Sequence, residues 1–257
     1  MRYRKLISVL FAVTIIFSGF QPQSSAESEG GLIVRFAPKP GSIAVYRLSL
    51  RGVTTTAIGD MDQKIDVDTE MYISQACEKV ADNRITLVTS IDSGKSNVNG
   101  DVTVPETVGA RYQVVMEPSG KILESSQSIG GETTQMQIVF PDKPLRVGDS
   151  WEQIIPIQNG KLNLRATYAL EGFDVVKGQK CAKISSKVVS LDGGKPGDRT
   201  YMGMKATGVI HFSLDEGIIL KNVVTSFMDV KMVSTFGTEE QQILTKMFMT
   251  MTMELQN

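Results

Sequence analysis

Residues 60–73 alternate. The odd positions hold Met61, Gln63, Ile65, Val67, Thr69, Met71 and Ile73, and the even positions hold Asp60, Asp62, Lys64, Asp66, Asp68, Glu70 and Tyr72. Only a β-strand, whose side chains point to opposite faces in turn, converts that spelling into one apolar and one charged surface. The pattern recurs at the even positions of Leu162–Leu170 (Leu, Leu, Ala, Tyr, Leu) and of Met202–Leu214 (Met, Met, Ala, Gly, Ile, Phe, Leu). One-sided alternation is the mark of antiparallel sheets with one face on the core and the other in water.

Turn residues separate the alternating runs. Glu117-Pro118-Ser119-Gly120-Lys121 and Asp215-Glu216-Gly217 read as hairpins, as do Ala81-Asp82-Asn83 and Lys177-Gly178-Gln179, because Pro, Asp, Asn and Gly supply the backbone angles that turns require. About a dozen strands fit between such turns. The expected fold is all-β: a curved antiparallel sheet, an open barrel or a two-layer sandwich. The rival is two separable domains split near residue 130. Helix is expected only as a short piece over 128–138. Thr238-Glu-Glu-Gln241 resembles a helix capping box, but the Met/Thr alternation after it predicts a strand.

The N-terminus reads as a secretory signal peptide over residues 1–26. Arg2, Arg4 and Lys5 precede an apolar run from Leu6 to Phe20, and small residues end it at Ser24-Ser25-Ala26. Fifteen apolar residues are fewer than the roughly 20 that span a bilayer. No cysteine follows the run to carry a lipid. Cleavage after Ala26 is expected to release a chain starting at Glu27, periplasmic or secreted, with no transmembrane anchor. Of 27 Lys and Arg, three lie in the leader, which leaves 24 against 28 Asp and Glu. With no basic patch, nucleic acid is not an expected partner.

Residues 27–257 are expected to form a single β-rich domain. Tyr72 and Tyr168 are 96 residues apart, as are Val80 and Val176, and the hairpins at Gly120 and Gly217 are 97 apart. These offsets suggest a duplicated β unit over about 43–127 and 145–235. Cys77 and Cys181 are the only cysteines. An oxidising compartment permits a disulfide between them, and two separate buried thiols are the other reading.

No catalytic motif is present. There is no Gly-x-Ser-x-Gly elbow, no His-Glu-x-x-His and no phosphate loop. One histidine, His211, and two cysteines fall short of a His/Cys metal site. The acidic comb Asp60, Asp62, Asp66, Asp68 and Glu70 lacks the spacing of a calcium loop and reads as a solvated strand face. No cofactor is expected.

Methionine is the oddity of the composition, at 13 residues. Met247, Met249, Met251 and Met253 alternate along one segment, Met202 and Met204 share the apolar side of another, and Met228 and Met232 share a third. Core filling is the first reading. A malleable ligand pocket is the second, since thioether side chains adapt to irregular partners. A Cu(I) site is the third.

Phe140-Pro141-Asp142-Lys143-Pro144-Leu145-Arg146-Val147-Gly148-Asp149-Ser150-Trp151 stands out from the rest. Its Pro-x-Lys-Pro-x-x-Val-Gly-Asp-Ser-Trp spelling resembles a family of uncharacterised exported bacterial proteins, a domain of unknown function. That family brings no catalytic residues. The layout also resembles the open barrels that carry lipoproteins through the periplasm. By its own residues the segment reads as a staple: two prolines hold it extended, Gly148-Asp149 turns, and Trp151 starts a strand and plugs the core. Together these readings imply a non-enzymatic envelope protein that binds a lipid-like, apolar or amphipathic ligand, or another envelope protein. The alternatives are a carboxylate-based hydrolase of envelope polymers and a methionine-rich copper-binding protein.

Overall fold

The computed structural model describes residues 31–126, 137–157, 162–195, 198–236 and 239–256. The leader and residues 127–136, where most of the short helix was expected, lie outside the described residues. The strands are β1 (Ile43–Ile58), β2 (Met61–Ala81), β3 (Arg84–Val98), β4 (Asp101–Thr103), β5 (Arg111–Met116), β6 (Ile122–Ser125), β7 (Ser150–Ile157), β8 (Leu162–Val176), β9 (Gln179–Ser190), β10 (Thr200–Ser213), β11 (Ile218–Phe236) and β12 (Glu239–Leu255).

All twelve belong to one curved, open antiparallel sheet in the order β6-β5-β3-β2-β1-β12-β11-β10-β9-β8-β7, with β4 paired to β3 off that path. The strands are long because the alternation is long: β2 runs for 21 residues and β11 for 19. Their hairpins turn where the sequence supplies residues that tolerate positive φ. Asp82 and Asn83 stand at 53° and 59°, and Asn99 and Gly100 at 54° and 98°. Positive φ at both central residues matches the right-handed twist of the flanking strands.

The two halves of the chain meet at the pairing of β1 with β12, from Tyr46↔Leu255 to Ile58↔Ile243. On one side lie the five strands β1-β2-β3-β5-β6, and on the other the six sequential strands β12-β11-β10-β9-β8-β7. Gly120 and Gly217 sit in hairpins held by one N-terminal segment: the N–H of Phe36 donates to Pro118 O at 2.7 Å and that of Ala37 to Gly217 O at 3.3 Å. Tyr72, by contrast, is exposed while Tyr168 is buried, so an offset of 96 residues carries a side chain from the outer face to the inner one.

The inner face of the sheet is defined by the buried alternate residues, among them Leu48, Met71, Ile73, Leu164, Ala166, Leu170, Ile184, Ile210 and Phe212. One end of it is filled. Leu32 bridges to Leu145, and Phe36, Phe140 and Phe212 stack with ring centroids 4.9–5.4 Å apart. Edge-to-face packing of this kind adds to the area these rings bury. The sheet edges are blunted as edges usually are: β6 has four residues, and β7 carries Pro156, which presents no N–H.

Between those edges runs the segment read from sequence as a staple. The N–H of Phe140 donates to Ser119 O on the β5–β6 hairpin at 2.8 Å. The Trp151 Nε1–H of β7 donates to Val139 O at 2.9 Å, and Gln153 both accepts from Val139 N at 3.1 Å and donates to Gln137 O at 3.0 Å. Trp151 is only partly buried, stacked on Tyr168 at 5.5 Å. It covers the margin of the core rather than filling its centre.

Candidate functional site

The strand register puts all eight singled-out methionines on the inner face. Met253 pairs with Leu48, Met251 with Leu50, Met249 with Gly52 and Met247 with Thr54. On the other side of β12, Met253, Met251, Met249 and Met247 pair with Asn222, Val224, Ser226 and Met228. In turn, Met228 pairs with Met204, Val230 with Met202, and Met232 with Thr200. Phe248, between two of these methionines in sequence, points outward and is 54% exposed.

Their burial is uneven along the strands. Met253, toward the filled end, is 2% exposed and belongs to the core, and Met247 is also buried at 6%. Met202, Met204, Met228, Met249 and Met251 are half-buried, and Met232, near the far end, is exposed. On the neighbouring β1, Leu48 is buried, whereas Leu50, Gly52, Thr54, Thr56 and Ile58 are half-buried.

This half of the inner face carries no ionisable side chain. Inward positions of β1 from Leu48 to Ile58 are Leu, Leu, Gly, Thr, Thr and Ile. Those of β2 from Ile65 to Ile73 are Ile, Val, Thr, Met and Ile. On β10 from Thr200 to Phe212 they are Thr, Met, Met, Ala, Gly, Ile and Phe, and on β11 from Asn222 to Met232 they are Asn, Val, Ser, Met, Val and Met. The charges of the same strands point outward, where Arg51 pairs with Asp68 at 3.2 Å and Lys221 with Glu254 at 3.6 Å. Buried hydroxyls and amides on the inner face pair among themselves, Thr69 with Ser96 at 2.7 Å and Gln75 with Thr89 at 3.0 Å. The Tyr46 hydroxyl and Asn222 Oδ1 are buried with no partner among the described residues. Burial, and then the nearby Glu216 carboxylate, push the Tyr46 phenol well above its ordinary pKa.

Glycine shapes the floor at one place. A Cβ on Gly52 would lie 2.6 Å from Met249 Cγ and 2.6 Å from Phe248 O. Met249 therefore leans across β1 because Gly52 leaves the space free.

Cys77 and Cys181 are not bridged. Both are free and buried, on β2 and β9, and β1, β12, β11 and β10 lie between those strands in the sheet. The disulfide that an exported chain permits gives way here to two separate thiols. Burial is the main cause that pushes each up to about 11.

His211 lies on the outer face, with Nε2 3.4 Å from Asp174 Oδ2. The Val175 N–H and, after it, His211 hold the Asp174 carboxyl below its usual range. That is the direction that hydrogen bonds to a carboxylate give, whereas a general acid needs its pKa raised. Among the described residues, no three His, Cys, Asp or Glu side chains group as a metal would require. A largely apolar cleft of about 490 Å³ opens at the seam, lined by Ile122, Val139, Phe140, Pro141 and Trp151 together with Lys121, Glu152 and Gln153. The sequence reading treated this stretch as a staple and gave no sign of a cleft, because the cleft forms only where the two sheet edges approach.

No protein-family model and no curated protein sequence matches the chain, the Pro141–Trp151 spelling included. Among solved structures, the chain is similar to part of lipovitellin, from work titled lipid-protein interactions in lipovitellin. That likeness has 10% identity and a TM-score of 0.47 over 85% of this chain and 25% of that one. The chain thus spans about a quarter of that protein. It is also aligned with a putative outer membrane lipoprotein-sorting protein domain from Vibrio parahaemolyticus, at 13% identity and TM-score 0.16 over 83% and 86% of the two chains. A DUF1329 family protein from Desulfovibrio piger aligns at 11% identity and TM-score 0.14, over 79% and 83%. At these scores the alignments carry no argument, and the functional reading rests on the inner face itself.

Proposed function

We propose that this chain is an exported, non-enzymatic protein of the bacterial envelope that holds an apolar or amphipathic ligand against the inner face of its sheet. One observation carries the reading: beyond the core, the inner face of β1, β2, β10, β11 and of β12 from Ile243 to Met251 carries no charge, and apart from Met247 and Ala206 most of it is only half-buried. A core covered by a second layer is fully buried, and a solvated face carries charge. A contiguous apolar face that is neither marks a place for a ligand or a partner. Each square ångström of such surface withdrawn from water contributes about 25 cal/mol, so an acyl-sized ligand finds ample driving force there without a polar anchor. Flexible thioethers suit a face that takes ligands of more than one shape. Export is the part of the proposal that rests on residues 1–26, and N-terminal sequencing of the secreted protein should begin at Glu27.

The test uses chain 27–257 and N-phenyl-1-naphthylamine, a dye that fluoresces in apolar surroundings. The expected result is saturable binding that long-chain fatty acid displaces. Met249→Lys places a charge on the inner face and should abolish it. Phe248→Lys, one residue away on the outer face, should leave it intact and controls for folding. Absence of saturable binding by the wild-type chain, or equal effects of the two variants, overturns the reading.

A further inference from the structure

Three methionines far apart in sequence stand in one row. Met204 of β10 is the register partner of Met228 of β11, and Met228 is the partner of Met247 of β12. All three face inward, one from each of three adjacent strands. Neighbouring strands lie about 4.8 Å apart. Bonds of about 2.3 Å from a soft metal to sulfur place neighbouring sulfurs about 4 Å apart. Adjacent members of the row are about 4.8 Å apart at the backbone and Met204 and Met247 about twice that, and unbranched side chains with three rotatable bonds have the reach to bring their sulfurs together over Met228.

The surroundings leave room. In the next row toward the filled end, Ala206 and Ser226 stand beside Met204 and Met228, and Met249 leans away over Gly52. Met204 and Met228 are half-buried, which leaves them accessible, while Met247 is buried. Met202 follows two residues from Met204 on the same inner side of β10. No carboxylate, imidazole or thiol points inward beside the row. Zinc and the hard cations find no ligand there, whereas thioethers are ligands for Cu(I). A single positive charge also costs less to take out of water than a double one.

We infer that Met204, Met228 and Met247 form a thioether site for Cu(I), with Met202 within reach as a fourth ligand. The site is independent of the apolar-ligand reading. That reading needs only apolar surface, which leucine provides as well as methionine, while the metal needs sulfur.

The experiment titrates chain 27–257 anaerobically against the coloured Cu(I)–bicinchoninate complex. The expected result is withdrawal of one Cu(I) per chain, with X-ray absorption showing a shell of three or more sulfurs. Met228→Leu and Met204→Leu should each weaken binding at least tenfold. Met61→Leu, an exposed methionine away from the row, should not change it. Circular dichroism and dye binding, both expected to persist in the leucine variants, show that the fold and the apolar face survive. The inference fails if the wild-type chain leaves the chelator complex intact, if Met228→Leu binds as the wild type does, or if Met61→Leu weakens binding equally.

Discussion

The Trp151 indole donates its N–H to the Val139 carbonyl at 2.9 Å, tying the edge strand β7 to a segment that belongs to no strand. With the two bonds from Gln153, side chains here do what a neighbouring strand would otherwise do for the backbone of residues 137–139. Replacing Trp151 by Phe keeps an aromatic body and removes the donor. A half-buried hydrogen bond of this kind contributes about 0.5–1.5 kcal/mol, so Trp151→Phe should lower the unfolding free energy by about that amount, read as a lower urea midpoint by circular dichroism. Gln153→Ala, which removes two bonds, should cost at least as much.

Phe212 touches both Phe36 and Phe140 at the filled end, with centroids 5.2 and 4.9 Å away. It is 1% exposed. Truncating a ring packed this closely leaves a cavity that its neighbours only partly close, at about 3–5 kcal/mol. Phe212→Ala should show a loss in that range by denaturant unfolding, and Phe212→Leu a smaller one.

Gly52 should not tolerate a side chain. Its Cβ would meet the Phe248 backbone oxygen at 2.6 Å, and backbone cannot move aside as Met249 could. Overpacking of this kind costs about 1–3 kcal/mol. Gly52→Ala should be destabilised within that range in thermal unfolding. Adding Met249→Ala should recover only the part of the loss that comes from the side chain.

Both cysteines should behave as free, protected thiols. Native protein should leave Ellman's reagent uncoloured at pH 8, and denatured, unreduced protein should release two equivalents. Each thiol is raised to about 11 by burial from an ordinary value of 9.0. A group whose folded pKa is raised contributes stability that is complete below the unfolded value and is lost as pH rises through the folded one. Stability should therefore decline between about pH 9 and pH 11. Buried Tyr168, pushed up to about 12, should extend the decline to higher pH. A Cys77→Ala, Cys181→Ala variant should lose the lower part of it. No free thiol in the denatured, unreduced chain, with two appearing after reduction, would instead point to a bridge.

Much of the fold was legible because side-chain direction in a strand is local information. Met61–Ile73 alternates in sequence, so one set of its residues had to face inward whatever the strand paired with. The turn at Asp82-Asn83 was legible for the same reason, since those residues themselves tolerate positive φ. The repeat was less so. Tyr72 and Tyr168 match in identity but face opposite ways, because a shift of one residue exchanges the faces of a strand while leaving its composition unchanged.

The sequence by itself determined that the chain makes long two-faced strands, that its charges go to one face, and that Met247, Met249, Met251 and Met253 share the other. Each of these follows from the geometry of a single strand. Only the tertiary structure decided which strands are neighbours. That Met247 lies beside Met228, and Met228 beside Met204, depends on two registers. That β12 closes onto β1, almost two hundred residues away in sequence, depends on the curvature of the whole sheet. The free state of Cys77 and Cys181 and the uneven burial of the methionines depend on it too. Pairing and register are set by the sum of many weak cross-strand contacts, and no one residue carries that sum.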